Sequence, residues 1–375
     1  MGVDIEEIRP EKGMDDFISV PFLIYGRDSR WVPQLIAAEK VFFDPCKNPA
    51  FKRCESRFFL ARRNGVPCGR VAGVISHEYN TKNSTSTGRF GWFEADAPDA
   101  AEVLLDRAER WLTEMGMTRV VGPMGFSDND ATGFLIEGHD EEPTIVGSWS
   151  PPWYADFAEA RGYVKDVDYL EYRITVPDRI PEKVERMAEV VQRRTSVTVF
   201  SEKSRKRLAK KWAPQVFDVL NKSYKNLYGT TLLSQDEINF YIESYLGHVE
   251  PEFVKIAIDG EKVVGFIIAM PSLTTAFRKA RGRLFPFGFI HVLMALKKSR
   301  VLDFYLAGVL PEYQGKGIDL LMSFEMAKSA LARGMTHAES NRELETNTLI
   351  QAQWKFYDKR MHRRSRVFWK SLGRS

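Results

Sequence analysis

The same order of local patterns occurs twice along this chain, and each occurrence opens on a two-residue turn. Arg57 to Arg63 reads as a strand running into Asn64-Gly65, and Val66 to Ile75 returns from it. An Asn-Gly pair tolerates the left-handed backbone that both central residues of a type I′ turn need, so this stretch predicts a β-hairpin. Phe253 to Ile258 meets Asp259-Gly260 in the same way, and Lys262 to Met270 returns. A further strand follows each hairpin, Arg89 to Glu94 in the first half and Val301 to Leu310 in the second. Next comes a helix. In the first half it is predicted over Ala100 to Met115, where Val103, Leu104, Ala108, Trp111 and Leu112 recur at helical spacing and Gly116 marks the stop. In the second half it runs from Gly317 to Arg333, with Leu320, Phe324, Ala327 and Leu331 on one face and Gly334 closing it. Arg119 to Met124 and His337 to Ser340 are the strands expected after the two helices. Trp153, Tyr154 and Phe157 then precede Arg161-Gly162-Tyr163, much as Trp354, Phe356 and Tyr357 precede a closing strand at Arg366 to Trp369.

A chain of 375 residues is too long for one ordinary core. Together with the repeated order, this predicts two related α/β domains, 1–176 and 195–375, with Pro177 and Pro181 in the break between them. The hydrophobic share of 44% and charged share of 28% are those of a globular protein rather than a disordered one. A formal net charge of +4 is too mild for a duplex-binding face, so no nucleic-acid partner is expected. The basic cluster from Lys203 to Lys211 has only Trp212 as a neighbouring aromatic and reads as a solvated helix face, and the cluster Lys359 to Arg366 reads as surface too. Cys46, Cys54 and Cys68 form no CxxC pair and have no histidine spacing beside them, so no metal site is expected. The first residues lack the basic-then-apolar order of a signal peptide, and a cytoplasmic location is expected. The longest apolar run, Leu284 to Leu296, is interrupted by Pro286 and Gly288 and is too short to span a bilayer. A buried segment is its plainest reading, with a lid over an acyl chain or a membrane-surface contact as alternatives.

The stretch most informative about chemistry is Val309-Leu310-Pro311-Glu312-Tyr313-Gln314-Gly315-Lys316-Gly317-Ile318-Asp319, which joins a predicted strand to a predicted helix. Glycines on both sides of Lys316 let the backbone bend closely and turn several N–H groups one way. The first helical turn adds unsatisfied N–H donors and the positive end of the helix dipole. Such a site suits a phosphate or pyrophosphate, with Gln314 and Lys316 as further donors. A Walker A loop, GxxxxGK(S/T), and the dinucleotide pattern GxGxxG are both absent.

This stretch resembles the acyl-CoA pyrophosphate loop of the GNAT acetyltransferases, Gln/Arg-x-x-Gly-x-Gly/Ala, at Gln314, Gly315 and Gly317. The resemblance covers the second half at the level of the motif and the first half through architecture alone. It implies an α/β fold of two GNAT-like domains, each a mixed, mostly antiparallel central sheet flanked by helices. The first would be a degenerate partner, because Gly91 to Pro98 offers no glycine pair at the start of its helix. The backbone from Gly315 through Lys316, Gly317 and Ile318 to Asp319 would hold the pyrophosphate of acetyl-CoA or another acyl-CoA. Val309 and Leu310 would pair with the pantetheine arm. Asp319 stands where the family prefers glycine or alanine. Its carboxylate is expected to turn outward, where it complements the helix dipole. The family's asparagine-then-tyrosine helix has a counterpart in Asn347, Trp354 and Tyr357. Tyr357 would protonate the leaving thiolate, a task suited to a phenol, or else serve as a core aromatic. Asp303 is the first candidate for the base that deprotonates the amine, with Glu339 and Glu345 beside it.

The expected activity is thus acyl transfer to a small-molecule or peptide amine, with acetyl-CoA the first donor to consider. Transferases with two GNAT-like halves that use aminoacyl-tRNA or a long acyl-CoA, the Fem peptidyltransferases and N-myristoyltransferases, are an alternative. A non-catalytic CoA-binding protein is another.

Overall fold

The structure is a computed structural model and describes residues 2–26, 30–245 and 249–373. It divides into two compact units. One comprises Met1–Leu170, Phe277–Phe289 and Arg363–Ser375, and the other Glu171–Ala276 and Ile290–His362.

In the first unit, β1 (Val3–Ile8) is followed by α1 (Met14–Tyr25), the hairpin β2 (Cys54–Arg63) and β3 (Val66–Ser76), then β4 (Thr87–Ala95). Helix α2 (Pro98–Glu114), β5 (Arg119–Gly122), β6 (Phe134–Glu137), α3 (Trp153–Ala160) and the start of β7 (Val164–Thr175) complete it. Strands β1 to β4 are antiparallel to their neighbours, while β4 and β5 are parallel. Asn64 (φ 52°) and Gly65 (φ 80°) both adopt the left-handed backbone expected of the turn.

Helix α2 lies directly on this sheet, burying Leu104, Leu105, Ala108, Trp111 and Leu112. Two glycines make the approach feasible. A Cβ on Gly73 would sit 2.5 Å from Cε3 of Trp111, and one on Gly88 would sit 2.4 Å from Cδ2 of Leu112. A second buried cluster packs Phe17 of α1 edge-on to Phe43 and Phe58 at 5.5 and 5.4 Å between ring centroids.

The second unit repeats the plan. After the end of β7 come α4 (Glu182–Arg194), β8 (Thr198–Phe200), α5 (Ala213–Tyr224), and the hairpin β9 (Val254–Asp259) and β10 (Lys262–Pro271). Then follow β11 (Val301–Val309), α6 (Ile318–Ala332), β12 (His337–Glu339) and β13 (Glu343–Leu344). The sheet runs β8-β9-β10-β11-β12 and closes on residues 173–175 of β7. Only the β11–β12 pair in it is parallel.

Three local expectations change. Residues 182–194, read as part of a break, form α4, which buries Val184 and Ala188. The aromatic segment after β12 is a single α turn (Thr348–Gln351) and a 3-10 helix (Ala352–Phe356) rather than one helix, and it leads into β14 (Lys359–Ser371). The apolar run around residue 290 is not buried: Phe285 is 78% and Phe287 70% exposed. Among the described residues, no helix is long and apolar enough to cross a membrane.

Trp111 is 4% exposed and fills the space that Gly73 leaves. Replacing it with alanine leaves a cavity that the backbone cannot collapse into, so Trp111→Ala is expected to cost about 3–5 kcal/mol in urea unfolding of the full chain.

Candidate functional site

Strands β11 and β12 pair for three residues only: Val301 with His337, Leu302 with Ala338, and Asp303 with Glu339. Beyond that they part. The cause lies in β11, where Phe304 faces Ala269 and Leu306 faces Ile268, leaving Tyr305 as one extra residue. Such a bulge bends the strand and raises its twist. The remainder of β11 stays paired with β10 and has its other edge open toward the gap.

Backbone carbonyls on that open edge need partners. Three side chains supply them. Asn341 donates to Tyr305 O at 2.7 Å, the Tyr224 hydroxyl to Ala307 O at 2.9 Å, and Gln314 to Val309 O at 3.1 Å. Leu310, by contrast, donates its amide across to Val264 O at 2.9 Å. Of the two residues expected to line the pantetheine arm, Val309 therefore faces the open edge with its carbonyl.

The gap leads to the glycine-bracketed loop. A 3-10 turn, Pro311–Tyr313, carries the chain out of β11, and Tyr313 ties it to the β9–β10 hairpin by donating to Asp259 at 2.8 Å. Hydrogen bonds from Ser196 and Tyr313 hold the Asp259 carboxyl below its usual range. Gly315 (φ 73°) and Gly317 (φ 81°) both take the left-handed backbone. Gly317 is also crowded, since a Cβ there would lie 2.7 Å from Val191 Cγ2 of α4. Lys316 donates its amide to Tyr313 O at 3.4 Å, and Leu321 donates to Gly317 O at 3.1 Å. The amides of Gly315, Gly317, Ile318, Asp319 and Leu320 donate to no acceptor among the described residues. Ile318 is buried, while Gln314 and the ammonium-bearing Lys316 are exposed. Lys316 forms no close ion pair among the described residues, although its charge helps lower the Asp259 carboxyl, and its Nζ lies 5.1 Å from the Tyr313 ring centre. Asp319 sits in the first turn of α6 with no side-chain hydrogen bond or ion pair among those residues. The result is a compact set of main-chain donors at a helix start, an arrangement able to accept an anion.

Candidate proton-transfer groups lie where the strands diverge. Asp303 is fully buried. Glu339, opposite it, is occupied, with Arg173 Nε at 2.6 Å and His362 Nε2 at 2.9 Å. Glu343, on β13, was not singled out by the sequence. Trp354 donates to its Oε1 at 2.7 Å, the Trp354 ring packs edge-on to Phe304 of β11 at 5.2 Å, and Oε2 is buried without a well-formed hydrogen bond. Burial pushes this carboxyl up to about 7, against the lowering effect of the Trp354 bond. No local motif marks Glu343, because its environment is built by residues far from it in sequence.

Among the described residues, two phenols in this unit have buried hydroxyls with no hydrogen-bond partner, Tyr305 at the bulge and Tyr357 after the 3-10 helix that packs on α6. Burial alone raises Tyr357, whereas burial and then the charge of Asp303 raise Tyr305 well above the ordinary phenol range. Asn347 caps its own short helix, accepting from Ile350 N at 3.4 Å.

The first unit reproduces the divergence but not the donor set. Strands β4 and β5 pair from Thr87 to Arg89 only, and β4 continues to Ala95. Helix α2, however, starts at Pro98, which has no N–H. The Asp99 carboxylate takes the Ala100 amide at 2.9 Å, and Arg63 binds both Asp96 and Asp99. Two acids thus flank this helix start, where their charge disfavours an anion.

This is the fold of tandem GNAT proteins. The tandem GNAT protein from the clavulanic acid biosynthesis pathway matches over 100% of this chain and 99% of its own, with a TM-score of 0.54 at 11% identity. A GCN5-related N-acetyltransferase from Sphaerobacter thermophilus matches over 99% and 96%, with a TM-score of 0.52 at 12% identity. No protein-family model matches the chain. By sequence it is similar to Protein YghO of Escherichia coli K12, 26% identical over 95% of this chain and 92% of that protein. It is also similar to a bacterial ceramide synthase of Caulobacter vibrioides, 27% identical over 88% of each.

A carboxyl that ionises less readily when folded weakens the native state as pH rises from its unfolded value, 4.5, to beyond about 7. Glu343→Gln keeps the acceptor for Trp354 and removes the ionisation. Chemical denaturation should show the variant gaining on the wild type by on the order of 3 kcal/mol between pH 4 and pH 8. An unchanged difference would mean that Glu343 is not held neutral by burial.

Proposed function

We propose that this chain is an acyl-CoA-dependent N-acyltransferase whose second unit holds the donor. The observation that carries this reading is the set of unused amides at Gly315 and from Gly317 to Leu320, among the described residues, beside the open edge of β11. Those amides and Lys316 fit a pyrophosphate, and the strand edge at Ala307 and Val309 fits an extended amide-bearing arm. When bound, the donor supplies an acyl group activated as a thioester. The protein's own part is to position that group and manage protons. Glu343 is the base: pushed up to about 7, it is part ionised at neutral pH, and its carboxylate form takes the proton from an ammonium and becomes the neutral acid. Tyr357 is the acid. Burial raises its phenol, so it stays protonated at neutral pH and can give its proton as charge develops on the leaving thiolate. Asp303 sets the charge beneath Tyr305. The first unit, whose corresponding helix start is closed by Pro98 and Asp99, is the non-binding partner.

The resemblance of the loop points first to acetyl-CoA. A second reading of the donor is favoured by the relative named a bacterial ceramide synthase. A ceramide is the amide of a long-chain amino alcohol with a fatty acid, so its formation is N-acylation with a long acyl group. Both donors belong in one experiment: thiol release from acetyl-CoA and from a long-chain acyl-CoA, each with and without a long-chain amino alcohol. Amine-dependent release of CoA with amide formation supports the proposal, and the productive donor fixes the chain length. Binding by calorimetry with no amine-dependent release from either donor would reduce the protein to a CoA binder.

Two substitutions test the assigned parts. Gly317→Val drives a side chain into Val191 and closes off those amides, so CoA affinity should fall about 100-fold or more in calorimetry, while the melting temperature reports whether α4 has shifted. Tyr357→Phe removes a hydroxyl that has no hydrogen-bond partner among the described residues. It should leave Kd and melting temperature unchanged and lower kcat about 10²–10³-fold. Equal losses in Kd would contradict the assigned role.

A further inference from the structure

Globular proteins scatter single exposed apolar side chains but seldom concentrate them. Here they are concentrated on one uninterrupted stretch. Phe285, Phe287, Phe289, Ile290, Leu293 and Met294 are 78%, 70%, 39%, 41%, 53% and 42% exposed. They account for six of the thirteen large apolar side chains exposed among the described residues. The stretch is a turn followed by the helix Gly288–Lys298. Along that helix the exposed residues are Phe289, Leu293 and Lys297 at four-residue spacing, and Ile290, Met294 and Lys298 beside them. His291, Val292, Ala295 and Leu296, between them, are half-buried. The helix thus presents its apolar stripe outward, the reverse of an ordinary surface helix.

The charges around the stripe are of one sign. Arg281 and Arg283 precede it, Lys297, Lys298 and Arg300 follow it, and no acidic residue occurs from 281 to 300. None of the five makes a side-chain hydrogen bond or ion pair among the described residues. The lysines at the helix end also suit its dipole, but that explains neither the arginines before the helix nor the apolar face between the two clusters. At 11 residues the helix is too short to cross a bilayer. Exposed phenylalanines and leucine between unpaired cations match the boundary of an anionic lipid bilayer, where acyl chains meet negatively charged headgroups.

We infer that residues 281–300 dock this protein onto the surface of anionic lipid membranes, with Phe285, Phe287, Phe289, Ile290, Leu293 and Met294 entering the acyl boundary and the five cations lying among the headgroups. The inference does not depend on the acyltransferase reading. It is tested by flotation of the full chain with vesicles of phosphatidylcholine alone and of phosphatidylcholine with phosphatidylglycerol. The wild type should float with the anionic vesicles, and less so as salt is raised from about 0.1 to about 0.5 M, which shortens the screening length. Phe285→Ser/Phe287→Ser alters two side chains already in water, so the melting temperature should hold while partitioning falls about tenfold or more. Lys297→Glu/Lys298→Glu should abolish the preference for the anionic vesicles. Failure of the wild type to float, or flotation unaffected by both double substitutions, overturns the inference. So does a dimer in light scattering that Phe285→Ser/Phe287→Ser dissolves while no vesicle binding is seen, because the stripe would then be covered by a second copy.

Discussion

The divergence of two parallel strands after three paired residues is the constraint on which the candidate site depends. A strand edge that loses its neighbour exposes donors and acceptors that must be satisfied or cost free energy. In the second unit the loss begins with the bulge at Tyr305, and Asn341, Tyr224 and Gln314 satisfy the carbonyls left behind. Those caps come from β12's continuation, from α5 and from the loop itself. The gap is therefore held open by three elements at once, and each cap is a polar group that an extended ligand can replace.

Both units diverge in this way, so divergence alone does not make a binding site. What separates them is the start of the helix that follows. Gly315 and Gly317 turn the backbone so that consecutive amides are left for a ligand, and Val191 holds the bend in place. In the other unit Pro98 deletes a donor, Asp99 consumes another, and two carboxylates fixed by Arg63 repel anions. The same architecture supports a set of open donors in one case and a closed, self-neutralised surface in the other. The difference lies in a handful of residues.

Much of this was legible from the residues in order. The hairpins, the third strands and both long helices follow from turn dipeptides and periodicity, because these are determined within about a dozen residues. The bend at Gly315 and Gly317 was legible for the same reason. Several decisive features were not. Helix α4 falls between prolines and reads as a break, yet it supplies Val191 against the loop. Glu343 owes its shift to burial, opposed by Trp354, and Tyr305 to burial beside its near neighbour Asp303, and burial exists only once the chain is folded. The run 284–296 reads as core because it is apolar, and hydrophobicity alone does not say which side of a helix faces outward. Asn347 matches a family position by name and serves as a local cap in the structure.

The proposed anion site is the set of main-chain amides at the start of α6, and not those at the start of α2. Amide hydrogen exchange with and without CoA measures this residue by residue. Slowed exchange is expected in peptides covering 315–320 alone, with 97–101 unchanged. Protection that is absent from 315–320, or that appears at 97–101 instead, would contradict it.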